Sequence, residues 1–458
     1  MKRTFIKDLF DAMPEAGAEI AVCGWIKTIR NDKFIELSDG TCFNKLQVVA
    51  ERENLANYDD VVHQNVGAAV RVKGKFIPTP EAKQPFELLA TEITVEGTST
   101  PDFPIQKKAA SLEYLREQAY LRPRTNTFNA VFRIRSVLAQ AIHRYFADHN
   151  FIYVHTPIVT ASDCEGAGEM FQITTLDMVN PPLLDNGEID YSKDFFGKKA
   201  NLTVSGQLNV ETFCMAFSNV YTFGPTFRAE NSNTSRHAAE FWMIEPEIAF
   251  ADLKDNMALV ENLLKFCVRY TMERCKQDIE FLNKFVDKDL VNRLNKMLEL
   301  KFKEVKYTDA IEILQNCGEK FDYPVYWGCD LQSEHERYLT EKHFKRPIFL
   351  TDYPKDIKAF YMRMNDDGKT VAAMDLLVPG IGELVGGSQR EEREDVFRAR
   401  MKECGLKEED YSYYLDLRKY GGAVHSGFGL GFERMVMYLT CIGNIRDVLP
   451  FPRTFGSL

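Results

Sequence analysis

The stretch GFGLGFER at residues 427–434 places glycine at every second position, ahead of a glutamate and an arginine. Alternating glycines leave one face of a strand without side chains, so that a ligand can approach the backbone there. Arg434 then falls at the predicted start of a helix, where backbone N–H groups and a cation together favour phosphate. The same glycines are also compatible with a purely structural bend, so the stretch alone leaves both interpretations open.

A second stretch, FRAE at residues 227–230, carries an arginine and a glutamate two positions apart on a predicted strand. Alternate residues of a strand point the same way, so Arg228 and Glu230 face one surface. There the arginine can hold a phosphate while the glutamate accepts from an amine, although a plain surface ion pair fits the spacing too. No phosphate-cradling loop accompanies them, because Arg363 stands where the first glycine before Gly368-Lys369-Thr370 is required. Any use of ATP would therefore depend on arginines.

Residues 18–96 read as strands with a single helix in the order β-β-β-α-β-β. Turn residues Asn31-Asp32 and Asp39-Gly40 separate the first strands. This order is the one that a five-strand Greek-key barrel of the OB type requires, and such barrels bind single-stranded nucleic acid. The predicted elements are strands 18–30, 34–37 and 43–50, a helix over 54–65, and strands 68–77 and 86–95.

Composition limits the function classes. The chain of 458 residues is 45% hydrophobic and 27% charged, which is typical of globular proteins built of two or three domains. A net charge of -10 argues against a bulk polyanion binder, so any nucleic-acid contact must use local patches and stacking. No apolar run is long enough to span a bilayer, and no secretory signal is seen, so a cytoplasmic location is expected. The ten cysteines form no C-x-x-C pair, which favours scattered buried thiols over a zinc site.

The remainder of the chain follows a linker. Residues 101–128 are irregular and rich in proline and basic residues. Apolar residues at helical spacing then predict a long amphipathic helix over 129–149, followed by an extended segment up to Val159. Strand-like runs are then predicted to dominate through Phe250, and further strands are predicted at 358–364 and 370–378.

Together these features resemble the class II aminoacyl-tRNA synthetases. Residues 129–159, 227–242 and 427–434 resemble motifs 1, 2 and 3 of that class, in the expected order, and the N-terminal barrel narrows the match to the aspartyl/asparaginyl/lysyl subgroup. The resemblance implies an α+β fold, with an N-terminal OB-fold β-barrel and a class II catalytic domain built on an antiparallel sheet flanked by helices. The expected domains are an anticodon-binding barrel (1–100), a linker (101–128) and a catalytic domain (129–458) with an insertion around 251–350. Motif 1 implies a homodimer.

The resemblance also implies roles for individual residues. Arg228 would bind the α-phosphate and the substrate carboxylate, Glu230 would meet the adenine amine, and Phe241 would stack on the ring. Arg434 would hold the γ-phosphate, which makes Arg228 and Arg434 the catalytic pair. Catalysis would consist of positioning and charge neutralisation. The implied ATP-binding set is Arg228, Glu230, Arg236, His237, Phe241, Glu383, Gly431 and Arg434.

A magnesium site is implied by two carboxylates. Asp375 and Glu383 match the family residues that hold Mg²⁺ on the phosphates, and hard oxygen ligands suit this ion. A strand-edge carboxylate already satisfied by the protein is the alternative for Asp375. ATP and Mg²⁺ are therefore the expected cofactors.

The choice of amino acid depends on a short segment around Gln207. Where aspartyl enzymes carry a lysine three residues after the glutamine, this chain has Val210, followed by Glu211. Glu211 can accept a hydrogen bond from the NH₂ of a substrate amide, while Arg390 donates to the oxygen of the same amide. Binding a substrate carboxylate beside Glu211 would instead cost roughly 2–5 kcal/mol. The wider pattern is similar to bacterial-type asparaginyl enzymes, which implies attachment of L-asparagine to tRNA(Asn) through an adenylate. The implied amino-acid site comprises Glu165, Ser205, Gln207, Glu211, Arg228 and Arg390.

In the barrel, Phe34 matches an aromatic residue that stacks on the central anticodon base. Arg30, Gln47 and Glu87 fall where base edges are contacted. Stacking contributes about 1–3 kcal/mol per base, so the barrel can bind tRNA although the chain carries a net negative charge. A simple role of Phe34 in the barrel core is the competing interpretation.

Three alternative functions remain open at this stage. An aspartyl-tRNA synthetase is the nearest, and Val210 with Glu211 weighs against it. An amidating asparagine synthetase on the same catalytic fold would have no use for an anticodon-reading barrel. A catalytically inactive paralogue is expected to have lost Arg228, Arg434 or Glu383, and all three are present.

Overall fold

A computed structural model of the chain describes residues 2–106, 110–161, 164, 169–231 and 234–458. The chain divides into two compact units, Met1–Phe132 and Arg133–Leu458. Among the described residues, no helix combines the length and apolar character that a membrane crossing requires.

The strands and helices are numbered in chain order. The strands are β1 (Glu19–Arg30), β2 (Phe34–Ser38), β3 (Leu46–Val49), β4 (Ala69–Pro78), β5 (Phe86–Gly97), β6 (Ile152–Tyr153), β7 (Val159–Thr160), β8 (Gln172–Ile173), β9 (Ala200–Leu202), β10 (Asn219–Phe227), β11 (Glu240–Ala249), β12 (Lys303–Lys306), β13 (Ile348–Pro354), β14 (Thr370–Val378), β15 (Gly382–Gln389) and β16 (His425–Gly431). The helices are α1 (Ile6–Asp11), α2 (Tyr58–Val62), α3 (Leu112–Glu117), α4 (Asn126–Asp148), α5 (Gln207–Phe217), α6 (Leu253–Arg274), α7 (Lys276–Phe285), α8 (Leu290–Glu299), α9 (Tyr307–Asn316), α10 (Ser333–Arg337), α11 (Glu394–Glu403), α12 (Ser412–Lys419) and α13 (Phe432–Thr440).

The first unit contains a closed five-strand barrel in the order β1-β2-β3-β5-β4, with α2 between β3 and β4 in the chain. Alternate residues of each strand point inward, and Ile35, Leu37, Val48 and Leu88 are among those that fill the core. The predicted order of elements and the OB-fold barrel are confirmed. Strand β3 begins at Leu46, later than predicted, because the chain still bends at residues 41–44.

The second unit is built on an eight-strand sheet in the order β12-β13-β14-β15-β16-β11-β10-β6. The six strands from β13 to β10 pair antiparallel, and the two outermost pairs, β12–β13 and β10–β6, are parallel. All nine residues of β14 are buried, as expected for a central strand covered on both faces. Helix α6 packs across β14, β15 and β16, whereas α5 packs on β10 and β11. The predicted antiparallel sheet flanked by helices is therefore confirmed.

Two local predictions were wrong. Residues 358–364, predicted as a strand, form turns and isolated bridges, because Phe360 and Tyr361 turn into an apolar cluster with Phe397 instead of pairing in the sheet. Residues 207–217, within a region where strands were expected, form the helix α5. Residues 251–350, expected as an insertion, contain α6–α10 and also contribute β12 and the start of β13 to the main sheet.

Candidate active site

A cavity of about 270 Å³ opens at the middle of the large sheet, where β11, β15 and β16 lie side by side. It is lined by basic, acidic and aromatic side chains from segments far apart in the chain. All eight residues predicted to bind ATP lie in its wall: Arg228, Glu230, Arg236, His237, Phe241, Glu383, Gly431 and Arg434.

One wall comes from the β10–β11 hairpin. Arg228 directly follows β10, and its N–H donates to the carbonyl of Ala239 at 3.0 Å, which extends the ladder beyond the strand. The Arg228 guanidinium lies 5.4 Å from the Phe241 ring centroid, a cation–π distance. Its Nη1 is 3.9 Å from Glu230 Oε1. An arginine, a flat ring and a carboxylate therefore share one face.

The opposite wall comes from β16 and the start of α13. Strand β16 lies between β11 and β15 in the sheet, which brings the glycine-rich stretch next to Glu383. Arg434 Nη1 donates to the Glu383 backbone carbonyl at 2.7 Å and lies 3.4 Å from its Oε2. Gly429 and Gly431 line the cavity without side chains, so its floor is backbone.

Two further basic groups lie in the cavity wall. Arg236 Nη1 donates to Ser333 Oγ of α10 at 3.1 Å. Burial, together with the charge of Arg337, lowers the pKa of Arg236. Burial and the nearby Arg434 cation also lower the pKa of His237, which favours a neutral imidazole at pH 7. The three arginines that line this partly buried cleft, Arg228, Arg236 and Arg434, suit a polyanionic ligand such as a triphosphate.

Carboxylates converge beside these cations. A side chain at Gly386 would bring its Cβ within 3.1 Å of Glu383 Oε1 and 3.4 Å of Asp375 Oδ1, so both carboxylates border the space that this glycine leaves. Lys358 Nζ donates to Asp375 Oδ2 at 2.6 Å. Burial raises the pKa of Asp375. The pKa of Glu383 is lowered, because the nearby cations Arg434, Lys358 and Arg228 outweigh the effect of burial.

Ser205 and Gln207 lie at the start of α5, next to β11. The Ser205 hydroxyl and the Gly206 N–H both donate to the buried carboxylate of Glu245, the latter at 2.9 Å. Gln207 is likewise buried, and its Nε2 donates to Glu211 Oε1 at 3.0 Å. These contacts fix the segment that precedes the helix.

Glu211 is fully buried and lies within hydrogen-bond distance of three side chains. Gln207 Nε2 donates to Oε1, the Tyr414 hydroxyl lies 2.8 Å from Oε1 and 2.6 Å from Oε2, and His425 Nε2 lies 2.9 Å from Oε2. Burial alone would raise the pKa of Glu211, but His425, Arg390 and Arg418 lower it to about 2. An ionised carboxylate accepts about four hydrogen bonds, so the three donors leave room for one more.

Arg390 follows β15 and is also buried. Its Nε donates to Glu247 Oε2 at 3.1 Å, Nη2 donates to Glu247 Oε1, and Nη1 donates to Ser388 Oγ at 2.8 Å. Its Nε lies 3.8 Å from Glu211 Oε1. Arg390 and Glu211, predicted to act on one substrate side chain, are therefore neighbours in a single network.

The barrel carries a separate cavity of about 630 Å³. Arg30, Phe34 and Gln47 line it, and Gln47 Nε2 donates to Glu87 Oε2 at 2.9 Å. Arg30 Nη2 in turn donates to Gln47 Oε1 at 3.3 Å. Phe34 is half-buried and lies outside the core that Ile35 and Leu37 occupy, which favours an exposed aromatic face over a role in packing.

Comparison with known proteins decides the family. Residues 111–455 match the family described as tRNA synthetases class II (D, K and N), and residues 20–96 match the OB-fold nucleic acid binding domain. The chain belongs to the class II tRNA synthetases.

Individual relatives of this class II synthetase are close in sequence. It is 61% identical to the asparagine–tRNA ligase of Acetivibrio thermocellus, covering 100% of this chain and 99% of that protein. Identity to the asparagine–tRNA ligase of Clostridium beijerinckii is 62%, over 96% of this chain and 95% of the relative. The asparaginyl-tRNA synthetase of Pyrococcus horikoshii complexed with asparaginyl-adenylate superposes with a TM-score of 0.87 at 32% identity, covering 100% and 99% of the two chains.

Several residues of this synthetase escaped prediction because their partners are distant in sequence. Lys358, Glu245, Glu247, Arg418 and His425 all contact predicted residues. Glu245 and Glu247 could have been found from the sequence, because two charged residues on a buried central strand need charged or hydrogen-bonding partners. The predicted ligand Glu165 lies outside the described residues.

Proposed function

We propose that this class II synthetase attaches L-asparagine to tRNA(Asn) at the expense of ATP, through an asparaginyl-adenylate, with release of AMP and pyrophosphate. The proposal depends chiefly on one observation: eight residues from three separate sequence segments line a single cavity that is rich in arginine. Relatives about 60% identical over the full length are asparagine–tRNA ligases, which supports the choice of amino acid.

In the first step the asparagine carboxylate attacks the α-phosphate, and the bond from the α-phosphorus to the pyrophosphate breaks. Arg228 donates to the α-phosphate and neutralises the charge that develops there. Arg434 binds the outer phosphates and stabilises the departing pyrophosphate. Arg236 and His237 lie on the same side, near the outer phosphates or the tRNA acceptor end. No side-chain nucleophile is needed, because positioning and charge stabilisation supply the rate.

The adenine is held at the other end of the cavity. Phe241 stacks on the ring, on the face that the Arg228 guanidinium leaves open, and Glu230 accepts from the adenine amine. Gly429 and Gly431 allow the nucleotide to lie directly against the backbone of β16, because no side chain intervenes.

Mg²⁺ fits beside these residues. Asp375 and Glu383 offer hard oxygen donors around the space next to Gly386, which a Cβ would fill. These two residues would hold the ion, which when bound neutralises phosphate charge and orients the outer phosphates. Lys358 and Arg434, the present partners of the two carboxylates, hold them oriented towards this space.

Asparagine is selected over aspartate by charge. Gln207, Ser205 and Glu165 take up the α-ammonium end, while Glu211 accepts from the amide NH₂ and Arg390 donates to the amide oxygen. Asparagine and aspartate are nearly isosteric, so a carboxylate placed against the ionised Glu211 is rejected by repulsion and by the loss of a donor.

In the second step a terminal ribose hydroxyl of the tRNA attacks the adenylate carbonyl, and AMP leaves. Recognition of the tRNA depends on the barrel, where Phe34 stacks on an anticodon base and Arg30, Gln47 and Glu87 contact base edges. The three polar residues already form a hydrogen-bonded chain, which reduces the cost of ordering them on binding.

The active species is proposed to be a homodimer formed through the motif 1 region. Strand β6 is the edge strand of the large sheet, and its residues Ile152 and Tyr153 are 46% and 50% exposed. An uncovered apolar edge strand is a natural interface. The reaction is placed in the cytoplasm, where protein synthesis consumes its product.

The test is ATP–pyrophosphate exchange driven by each amino acid in turn. Exchange is expected with asparagine and only weakly with aspartate. Equal exchange with both would refute the asparagine assignment, and folded protein without exchange would refute the enzyme assignment.

A further inference from the structure

Helix α12 lies behind Glu211 and presents two side chains to it. Tyr414 and Arg418 are one helical turn apart and so lie on the same face. The Tyr414 hydroxyl reaches both Glu211 oxygens, and Arg418 Nη2 lies 3.8 Å from Glu211 Oε2. Neither side chain lines the nucleotide cavity, so their contacts with Glu211 need a different explanation.

Each nitrogen of the Arg418 guanidinium except Nη2 donates a hydrogen bond to the backbone. Its Nε donates to the Glu391 carbonyl at 3.0 Å, and its Nη1 donates to the Tyr414 carbonyl at 3.0 Å. The guanidinium lies over the Tyr414 ring at 4.0 Å and the Phe397 ring at 4.7 Å. Only 1% of the side chain is exposed, and within the described residues Nη2 is buried without a hydrogen-bond partner. An unused donor on a fixed, buried cation is costly unless a charge lies nearby.

Glu211 is that charge. The charged and titratable groups that face it come from every element packed around it: Arg390 after β15, His425 on β16, Glu247 on β11, and Tyr414 with Arg418 on α12. Arg390 is already engaged by both oxygens of Glu247. Arg418 has no carboxylate partner besides Glu211 among the described residues, so it is the guanidinium least committed elsewhere.

We propose that Arg418 is a positioning residue for amino-acid specificity: it fixes Glu211 as an ionised, oriented acceptor for the amide group of the substrate. The inference rests on the proposed function, because Glu211 is given the task of recognising asparagine there. Arg418 itself does not touch the substrate. It acts by holding negative charge on Glu211 and, through the shared helix face, by keeping the Tyr414 hydroxyl on both oxygens.

Four variants of the full chain test this idea in amino-acid-dependent ATP–pyrophosphate exchange. Arg418→Gln removes the charge but keeps donors, whereas Arg418→Lys keeps the charge. Glu211→Gln removes the carboxylate, and the double variant Glu211→Gln with Arg418→Gln removes both charges. The double variant also avoids leaving one buried charge unpaired, so it tests the idea even if Arg418→Gln fails to fold.

Arg418→Gln is expected to raise the KM for asparagine by at least about tenfold, equivalent to about 1.4 kcal/mol, with the KM for ATP nearly unchanged. Arg418→Lys should recover most of the loss. In the Glu211→Gln background, the second substitution should add little, because Arg418 acts through Glu211. Parallel rises in both KM values, or losses that multiply independently of Glu211, would overturn the inference. If wild-type protein shows no asparagine-dependent exchange, the proposed function itself fails, which is a different outcome.

Discussion

Phe34 offers the sharpest test of how the barrel reads tRNA. It is the first residue of β2, pairs with Arg30 and Val49 in the sheet, and lines the barrel cavity while Ile35 points into the core. Lys33 Nζ lies 5.9 Å from its ring centroid. The ring is therefore available for stacking, and the substitution Phe34→Leu removes the aromatic face while keeping an apolar side chain.

The size of the effect follows from the energy of base–aromatic stacking. About 1–3 kcal/mol per base translates into an increase of roughly 5- to 160-fold in the KM for tRNA. Because Phe34 is only half-buried and lies outside the core cluster, the free energy of unfolding should change by less than about 1 kcal/mol. Phe34→Tyr keeps the aromatic face and should behave like the unchanged protein.

The assay separates the two chemical steps. Aminoacylation measured against tRNA concentration should show the higher KM in Phe34→Leu, whereas ATP–pyrophosphate exchange, which needs no tRNA, should be unchanged. An unchanged KM for tRNA in a folded Phe34→Leu protein would refute the stacking role. A large fall in stability without a change of KM would instead show that Phe34 serves the barrel core.

Further predictions concern the catalytic unit. Glu383→Gln should lower exchange by about 10- to 100-fold and raise the Mg²⁺ concentration that gives half-maximal exchange. The control Glu403→Gln, at an exposed position, should change neither quantity. An unaltered Mg²⁺ dependence in Glu383→Gln would remove Glu383 from the proposed metal site. Glu211→Gln should reduce the preference for asparagine over aspartate by at least about tenfold, and unchanged selectivity would exclude the proposed amide contact. Because the pKa of Glu211 is held at about 2, below its usual value, its stabilisation is present at neutral pH and is lost only in acid. The difference in unfolding free energy between wild type and Glu211→Gln should thus shrink as the pH falls below about 4.

The parts of the fold that could be predicted are those that local chemistry decides. The turn at Asn31 and Asp32 is an example, since both residues adopt positive φ values of 52° and 48°, which these residue types tolerate. Strand β14 was predicted with its observed ends because its sequence, TVAAMDLLV, is largely apolar. Residues 358–364 were mistaken for a strand because their apolar pattern reflects packing against Phe397, a contact that no local rule contains.

The nucleotide cavity was predictable for a related reason. Its arginines and glutamates lie in short motifs, and the spacing within each motif already places the side chains on one face. What no single motif could supply is the order of the sheet, which sets β16 between β11 and β15 and so joins Arg228, Arg434 and Glu383 around one space. The resemblance to a family implied an antiparallel sheet and one shared site, but the order of its strands is known only from the structure.

The network around Glu211 shows where such prediction ends. Glu211 alone could be assigned from Val210 and its neighbours, yet whether it is ionised depends on His425, Arg390 and Arg418, which lie far later in the chain. A buried carboxylate without those partners would take up a proton, because desolvation favours the neutral form. A neutral Glu211 could donate as well as accept, and would lose the means of telling an amide from a carboxylate. Specificity in this synthetase is therefore determined by the charges packed behind the recognising residue as much as by that residue itself.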